Sequence, residues 1–527
     1  MFFERPCRRW ITLAIILLLL CSQPAIAGEV SITILHTNDL HQHLEPLPSI
    51  AGYVAKYKHN HPNTVFVDAG DYFDRGSSLV PMTLGEAIYG AMARMGYDMC
   101  IMGNHDWAYG GRRMCELIEK YPMPVLGTNL ATTKSSLPTN MVCTIVKDFD
   151  GIRVGFFGIT TDAYGTNPRG RPNIYVLDSR KETARAIDEL KRAKVDLIVA
   201  VTHLGFKKMK HEIGSRHPSD VDLVKANPDI DVVVGGHSHT LLHEQIVRKL
   251  YKETGAIIVQ AGSSGRWVGR LTLVVDDENH SIKRFDVEHV PTDAKLPEHP
   301  DVAAFLKRQY REYMPNAKTV IGRFEQSMEF HNLAYWYADF IREQTGADIA
   351  LLPRRTLYDE PKSFSKGDIT VERLFGYIYD RYLIKSTVSG AELLRYCNAD
   401  AMRHRFNPFH DRGRPFSGDA MFYSGMNVAF NSSVEFDLDP NKQYTLVTPW
   451  PFGRGPHRLA PRRDAEKAKP IPGLNTHDAV VMPRTTRELL VAAGLGNHLK
   501  FYRKYPKPRS DWAPWNKEWR KLTTIRK

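Results

Sequence analysis

From about residue 31 to 275, short apolar runs alternate with stretches of helical spacing. "SITIL" (31–35), "NTVFVDAG" (63–70), "DMCIMG" (98–103), "IRVGFFGIT" (152–160), "VDLIVAVTH" (195–203), "IDVVVGG" (230–236) and "AIIVQAG" (256–262) read as buried strands. "KETARAIDELKRAK" (181–194) spaces its apolar residues for a helix. Strands alternating with helices predict an α/β domain with much of its sheet covered on both faces. A Pro- and charge-rich joint, "VEHVPTDAKLPEHP" (287–300), breaks the pattern, and the amphipathic stretch 301–314 predicts a linker helix. A second domain is expected from about Ile321, with helices near 333–345 and 389–400 and strands near 425–448. Residues 451–475, rich in Pro, Gly and basic residues, read as a long loop.

The length of 527 residues favours two domains over one. Residues 1–27 run from Arg5, Arg8 and Arg9 through "ITLAIILLLLC" to "AIA" at Ala27, the pattern of a secretory signal with cleavage near Ala27. A retained N-terminal anchor is the competing reading. No later stretch is apolar enough to span a bilayer, so a soluble periplasmic or secreted product is expected. Without residues 1–27 the net charge falls from +12 to about +10. That surplus suits an anionic substrate or a solvated face, and no nucleic-acid module accompanies it. Cys100, Cys115, Cys143 and Cys397 follow the signal without CxxC spacing, which argues against a thiolate metal site and leaves disulfide pairing open.

The polar residues of interest stand just after the apolar runs. Asp39 and His41 follow the first, Asp71 the second, Asn104 and His105 the third, His203 the fifth, His237 and His239 the sixth. Sites in open α/β sheets lie beyond the carboxyl ends of strands, so these five ends can converge. In an extended chain alternate residues face one way, and Asp39/His41 and His237/His239 are each expected to reach one place. Leaving His105 aside, Asp39, His41, Asp71, Asn104, His203, His237 and His239 form a sulfur-free N/O set suited to Mn, Zn, Fe, Co or Ca. Seven ligands are too many for one compact site and suit two divalent metal ions with a bridging carboxylate, an arrangement for in-line phosphoryl displacement.

The series "HTNDLHQH", "DAGDYFDRG", "GNHD", "THLG" and "GGHSHT" resembles the calcineurin-like metallophosphoesterases, and its first and last members resemble the 5'-nucleotidase family. The resemblance continues thinly through "KGDIT" (366–370), "VSGAEL" (388–393) and "YSGM" (423–426). It implies a four-layer metallophosphoesterase β-sandwich flanked by helices at 28–295, a linker helix at 296–320, and a smaller α/β 5'-nucleotidase C-terminal-like domain at 321–527. It further implies one metal held by Asp39, His41, Asp71 and His239, and another by Asp71, Asn104, His203 and His237. His105 would then stabilise the transition state or protonate the leaving oxygen.

In the nucleotidase pattern an Asp three residues after the catalytic His orients it; here that place holds Ala108. "GDYFDRG" (70–76) resembles the second motif of the Ser/Thr protein phosphatases, whose second Asp pairs with the catalytic His. The resemblance implies that Asp74 partners His105 and that Arg75 holds a phosphate oxygen. Asp106 as the partner, or Asp74 as a simple loop brace, stays open.

The family's substrate-binding half implies arginines and stacking aromatics. Arg354 and Arg355 are the candidate arginines, and Phe422 and Trp450 the candidate aromatics, although the family's glycines and its usual first Phe are absent. The expected activity is hydrolysis of a small-molecule phosphate ester, foremost a nucleotide. Two readings compete: cleavage of a sulfur ester on a carrier protein, as in thiosulfohydrolases of similar architecture, and a non-catalytic surface binding module.

Overall fold

The structure is a computed structural model that describes residues 28–74, 76–132, 137–161, 174–208, 217–293, 296–324, 327–353, 356–357, 363–378, 382–398, 421–426, 428–430, 434–450, 477–485 and 489. Two sheets face each other in the first half. The larger has seven strands in the order Ile282–Pro291, Trp267–Asp276, β1 (Glu29–Thr37), β2 (Thr64–Asp68), β3 (Met99–Cys100), Val125–Leu126 and Met141–Val142. The smaller runs Thr144–Phe149, Ile152–Thr160, β4 (Leu197–His203), β5 (Val232–Gly235) and Ile257–Val259. β1, β2 and β3 are parallel, and so are β4 and β5.

Apolar residues on the inner faces close the space between the sheets: Ile34, Val67 and Ile101 from one, Phe156, Val199 and Val232 from the other. Helices cover both outer faces. Ala186, Ile187 and Leu190 of helix Ser179–Arg192 join that inter-sheet core cluster. This helix starts where the Asp178 carboxylate accepts the Arg180 and Lys181 N–H groups at 3.0 Å, and it ends with Lys191 and Arg192, which suit the negative end of its dipole. On the opposite side, a second apolar cluster begins at Leu35 and Phe66 of the larger sheet. It runs through Phe305 of the linker helix α1 (Pro300–Tyr313) to Trp336 and Leu351 in the second half.

The local pattern alone predicts one covered sheet; the structure has the two facing sheets that the family resemblance implies. The division depends on long-range pairing. β1 lies antiparallel to Trp267–Asp276 in the register Glu29↔Asp276, a partner more than 200 residues away along the chain that no local periodicity reveals.

The second half is built on a five-stranded sheet, Met421–Ser424, Ile349–Pro353, Gln443–Trp450, Tyr382–Ser389 and His477–Thr485. The expected helices are present as Phe330–Thr345 and Gly390–Asn398. The signal segment 1–27 and the loop expected at 451–475 lie outside the described residues. Among the described residues no helix is long and apolar enough to cross a membrane, and Cys100, Cys115, Cys143 and Cys397 are free thiols.

Candidate metal centre

The carboxyl ends of β1 to β5 meet at one end of the sandwich. The segment after β1 lies against the segment after β2 through Asp39 N–H to Gly70 O (2.8 Å) and His41 N–H to Asp71 O (2.9 Å). Here the extended-chain expectation fails: φ is +52° at Asp39, +45° at His41, +75° at His237 and +51° at His239. The left-handed backbone, held by these long-range bonds, aims the side chains instead. Two glycines make the approach possible. A Cβ on Gly103 would stand 2.2 Å from Asp71 Oδ1, and one on Gly236 would stand 2.7 Å from Ala69 O and 2.8 Å from His203 Nδ1.

The donor atoms form two groups. Asp39, His41 and His239 make one, and Asp71, His203 and His237 make the other, with the donor atoms of each group within 4.8 Å of one another. His237 and His239 therefore serve separate groups, against the expectation from their alternation. In the first, His41 Nε2 and His239 Nε2 lie 2.9 Å apart, and His239 Nε2 lies 3.2 Å from Asp39 Oδ1. In the second, His203 Nε2 lies 3.0 Å from Asp71 Oδ2. The groups adjoin, with His203 Nε2 3.9 Å from Asp39 Oδ1 and His41 Nε2 3.9 Å from Asp71 Oδ2.

The residues fit divalent ions. Asn104 Oδ1 is buried without a hydrogen-bond partner, and His203 Nε2 is buried facing the Asp71 carboxylate; both are atoms that ligate metals. Carbonyls hold the other ring nitrogen of two imidazoles, with Ala69 O 2.7 Å from His203 Nδ1 and Phe73 O 3.1 Å from His41 Nδ1. That leaves each Nε2 directed inward. Burial alone would raise Asp39, but hydrogen bonds from His239 and His41 hold it well below the usual carboxylate range. Asp71 is likewise lowered against its burial, mainly by His203 and His105. His203 is pushed up to about 10, as the Asp71 charge outweighs burial.

His105 stands at the edge of these groups. Its Nδ1 lies 2.8 Å from Asp74 Oδ2, its side chain is 23% exposed, and its backbone N–H donates to Asp71 Oδ1 at 2.7 Å. Asp106 faces elsewhere. Its two oxygens accept the backbone N–H groups of Asp71 (2.8 Å), Tyr72 (2.9 Å), Phe73 (3.1 Å) and Gly103 (2.7 Å). This carboxylate folds the loop that presents Asp71 and Asp74.

Sequence reasoning passed over Asn38. Its amide donates to Asp39 Oδ2 and to Gly262 O, both at 2.6 Å, and its Oδ1 accepts Ala261 N–H at 2.8 Å, so it ties Asp39 to the strand edge. An Asn directly before a ligand Asp was the available signal. At the substrate end Phe422 needs correction. It is 1% exposed and packs edge-on against Tyr335 at 5.2 Å, so it is a core residue with no open face for a base. Arg75, Arg354 and Arg355 lie outside the described residues, and Trp450 is placed only as the strand residue paired with Tyr382.

Residues 32–241 match the calcineurin-like phosphoesterase family. The chain is 24% identical over 409 residues to the uncharacterized metallophosphoesterase YunD of Bacillus subtilis, covering 75% of this chain and 83% of that protein. It is 25% identical over 397 residues to the trifunctional nucleotide phosphoesterase protein YfkN of the same species, covering 66% of this chain and only 26% of that longer protein. A 5'-nucleotidase precursor of Thermus thermophilus shares the fold, with a TM-score of 0.62 at 21% identity over 88% of this chain and 96% of that one. The sulfate thiohydrolase SoxB of the same organism shares it too, with a TM-score of 0.57 at 16% identity over 88% and 93% of the two chains.

Proposed function

We propose that this chain, whose residues 32–241 match the calcineurin-like phosphoesterase family, is an exported, metal-dependent hydrolase that releases phosphate from nucleotides or closely related phosphate esters. One ion would be held by Asp39, His41, Asp71 and His239, the other by Asp71, Asn104, His203 and His237. When bound, such ions supply positive charge to the phosphoryl oxygens and make water a stronger nucleophile.

The protein's own residues do the rest. Asp71 would join the two ligand groups, and its Oδ1 bond to the His105 backbone N–H ties the acid's position to the ligands. Asp74 accepts from His105 Nδ1, which fixes the imidazole so that protonated Nε2 is the proton donor. As water adds to phosphorus and the ester P–O bond breaks, that proton goes to the leaving alkoxide. The products are an alcohol and inorganic phosphate. Asp106 keeps the loop folded and touches no reacting atom.

The observation that carries this reading is the pair of ligand groups with the His105–Asp74 contact at their edge. Nucleotide chemistry rests on YfkN and the 5'-nucleotidase precursor by analogy. The test is hydrolysis by protein refilled with Mn²⁺ or Zn²⁺, read side by side as phosphate from AMP and p-nitrophenyl phosphate, UMP from UDP-glucose and p-nitrophenol from bis-p-nitrophenyl phosphate. Preference for AMP is expected. Release only from the simple esters would overturn the nucleotide assignment, and no release from any would overturn the reading.

A further inference from the structure

The loop that carries Asp74 continues into Ser77, and Ser77 is held from outside the sandwich. Its N–H donates to Gln42 O at 2.8 Å, next to His41. Its hydroxyl donates to Glu372 Oε1 at 2.7 Å and accepts the Leu79 N–H at 3.3 Å. The Tyr310 hydroxyl of α1 donates to the same Glu372 oxygen and lies 3.1 Å from Ser77 Oγ. One carboxylate oxygen thus receives the single hydroxyl proton of both residues, while the Ser77 lone pairs take the amide. Burial and the neighbouring Glu372 charge push the Tyr310 phenol up, which keeps it a donor. Beside this knot Ser78 Oγ donates to Met314 Sδ at 3.5 Å.

Glu372 belongs to the second half of the chain, near the start of the short helix α2 (Val371–Phe375). Its placement is fixed by main-chain bonds. Val371 N–H donates to Thr319 O at 3.1 Å and Glu372 N–H to Ala317 O at 3.0 Å, so the first turn of α2 is pinned to the segment that leaves α1. The Thr370 side chain caps the helix through the Arg373 N–H at 3.1 Å. In return the Asp74 loop needs holding. Asp74 has φ +74° and Asp71 +61°, conformations that persist only where surrounding structure over-determines them. Asp106 supplies that constraint at one end of the loop and Ser77 at the other.

We propose that Glu372, with Tyr310, is a positioning residue for the Asp74–His105 pair, so that the second half of the chain sets the geometry of proton donation in addition to any contact it makes with substrate. The proposal deepens the function given above and rests on its assignment of His105 and Asp74.

The experiment uses the full mature chain loaded with Mn²⁺ and compares Glu372→Ala, Glu372→Gln, Tyr310→Phe, Asp74→Asn and the Asp74→Asn/Glu372→Ala double variant. Turnover is read on AMP, whose alkoxide leaving group needs a proton, and on p-nitrophenyl phosphate, whose phenolate scarcely does. Glu372→Ala is expected to lower kcat on AMP roughly tenfold, the scale of one charge-assisted hydrogen bond. It should have much less effect on p-nitrophenyl phosphate, with KM and metal content within about twofold of wild type. Glu372→Gln, which retains an acceptor oxygen, should recover most of the loss, and Tyr310→Phe should show a smaller loss of the same pattern. In the Asp74→Asn background the Ala substitution should cost nothing further, because two residues acting through one contact are not additive. Equal losses on both esters, full additivity, or loss of metal would overturn the proposal.

Amide hydrogen exchange supplies a readout that does not depend on turnover. Residues 72–79 should exchange faster in Glu372→Ala while β1 is unchanged, and an unaltered loop would overturn the positioning role. If wild type hydrolyses neither ester, the phosphoesterase reading fails by itself, and the exchange result still decides whether Glu372 holds the loop.

Discussion

The two ends of the sandwich use the same residue types to opposite ends. At the amino end of β3, Asp98 is fully partnered within the chain. It accepts Phe66 N–H at 2.8 Å, Lys58 Nζ at 2.6 Å and Lys147 Nζ at 2.6 Å, and its backbone is ordinary. At the carboxyl ends, Asp39 and Asp71 face imidazoles, and Asn104 Oδ1 is buried with no hydrogen-bond partner. Of the thirteen non-glycine residues with positive φ among those described, six are Asp39, His41, Asp71, Asp74, His237 and His239. One end satisfies its charges in the fold. The other accepts backbone strain to keep donor atoms directed at a ligand, which is the arrangement expected where stability is exchanged for function.

The contrast breaks most visibly at Asp71. Asp71→Asn is expected to remove turnover by ~10³-fold or more, the upper range for deleting one preorganised electrostatic group. Bound metal measured by atomic emission should fall with it. Retention of full metal and activity would show that this carboxylate is a structural partner like Asp98.

Asp74 and Asp106 sharpen the comparison inside the site. Asp74→Asn should lower kcat on AMP by ~10²–10⁴-fold, with p-nitrophenyl phosphate less affected and metal content unchanged. Asp106→Asn replaces an acceptor of four backbone N–H groups by an amide with one acceptor oxygen. Its expected effect is a stability loss of about 2 kcal/mol or more in chemical denaturation. If Asp106→Asn instead reproduces the leaving-group dependence expected of Asp74→Asn at wild-type stability, the two assignments must be exchanged.

The candidate ligand residues were legible because each stands at or just behind the end of a buried strand, so a local pattern announces it. How they are aimed was not. The left-handed turns at Asp39 and His41 are held by Gly70 O and Asp71 O, about 30 residues onward, and neither residue is a glycine that would advertise a positive φ. The local pattern hid the division into two sheets for the same reason, since β1 pairs with a strand near residue 270, and only the family resemblance implied it. In the second half the family's motifs thin out, and an aromatic beside "YSGM" reads equally well as base clamp or as core. Phe422 proved to be core. Phe422→Ala should accordingly lower stability by about 3–5 kcal/mol through the cavity it leaves, with KM unchanged in the folded fraction. A raised KM at wild-type stability would restore it to the substrate site.

The smallest expected effect tests the partnered end. Burial raises the Asp98 carboxyl, but Lys147 and Lys58 outweigh burial and hold it below its ordinary value of 3.8. A depressed acid stabilises the fold in its ionised form. That contribution is complete above about pH 5 and is lost as pH falls through 3.8 to the lower folded value. Asp98→Asn should therefore cost about 1–3 kcal/mol at pH 7 in urea denaturation, with kcat unchanged. The gap should close as the pH falls through 3.8 and past the lower folded value, where wild type protonates the same group. Lys58 comes from helix Leu47–Asn60 and Lys147 from strand Thr144–Phe149 of the smaller sheet, so the lost charge loosens a stitch between layers rather than a surface pair. A gap that stays constant with pH would mean that Asp98 acts through shape and its bond to Phe66, and that charge pairing does not distinguish the two ends of the sandwich.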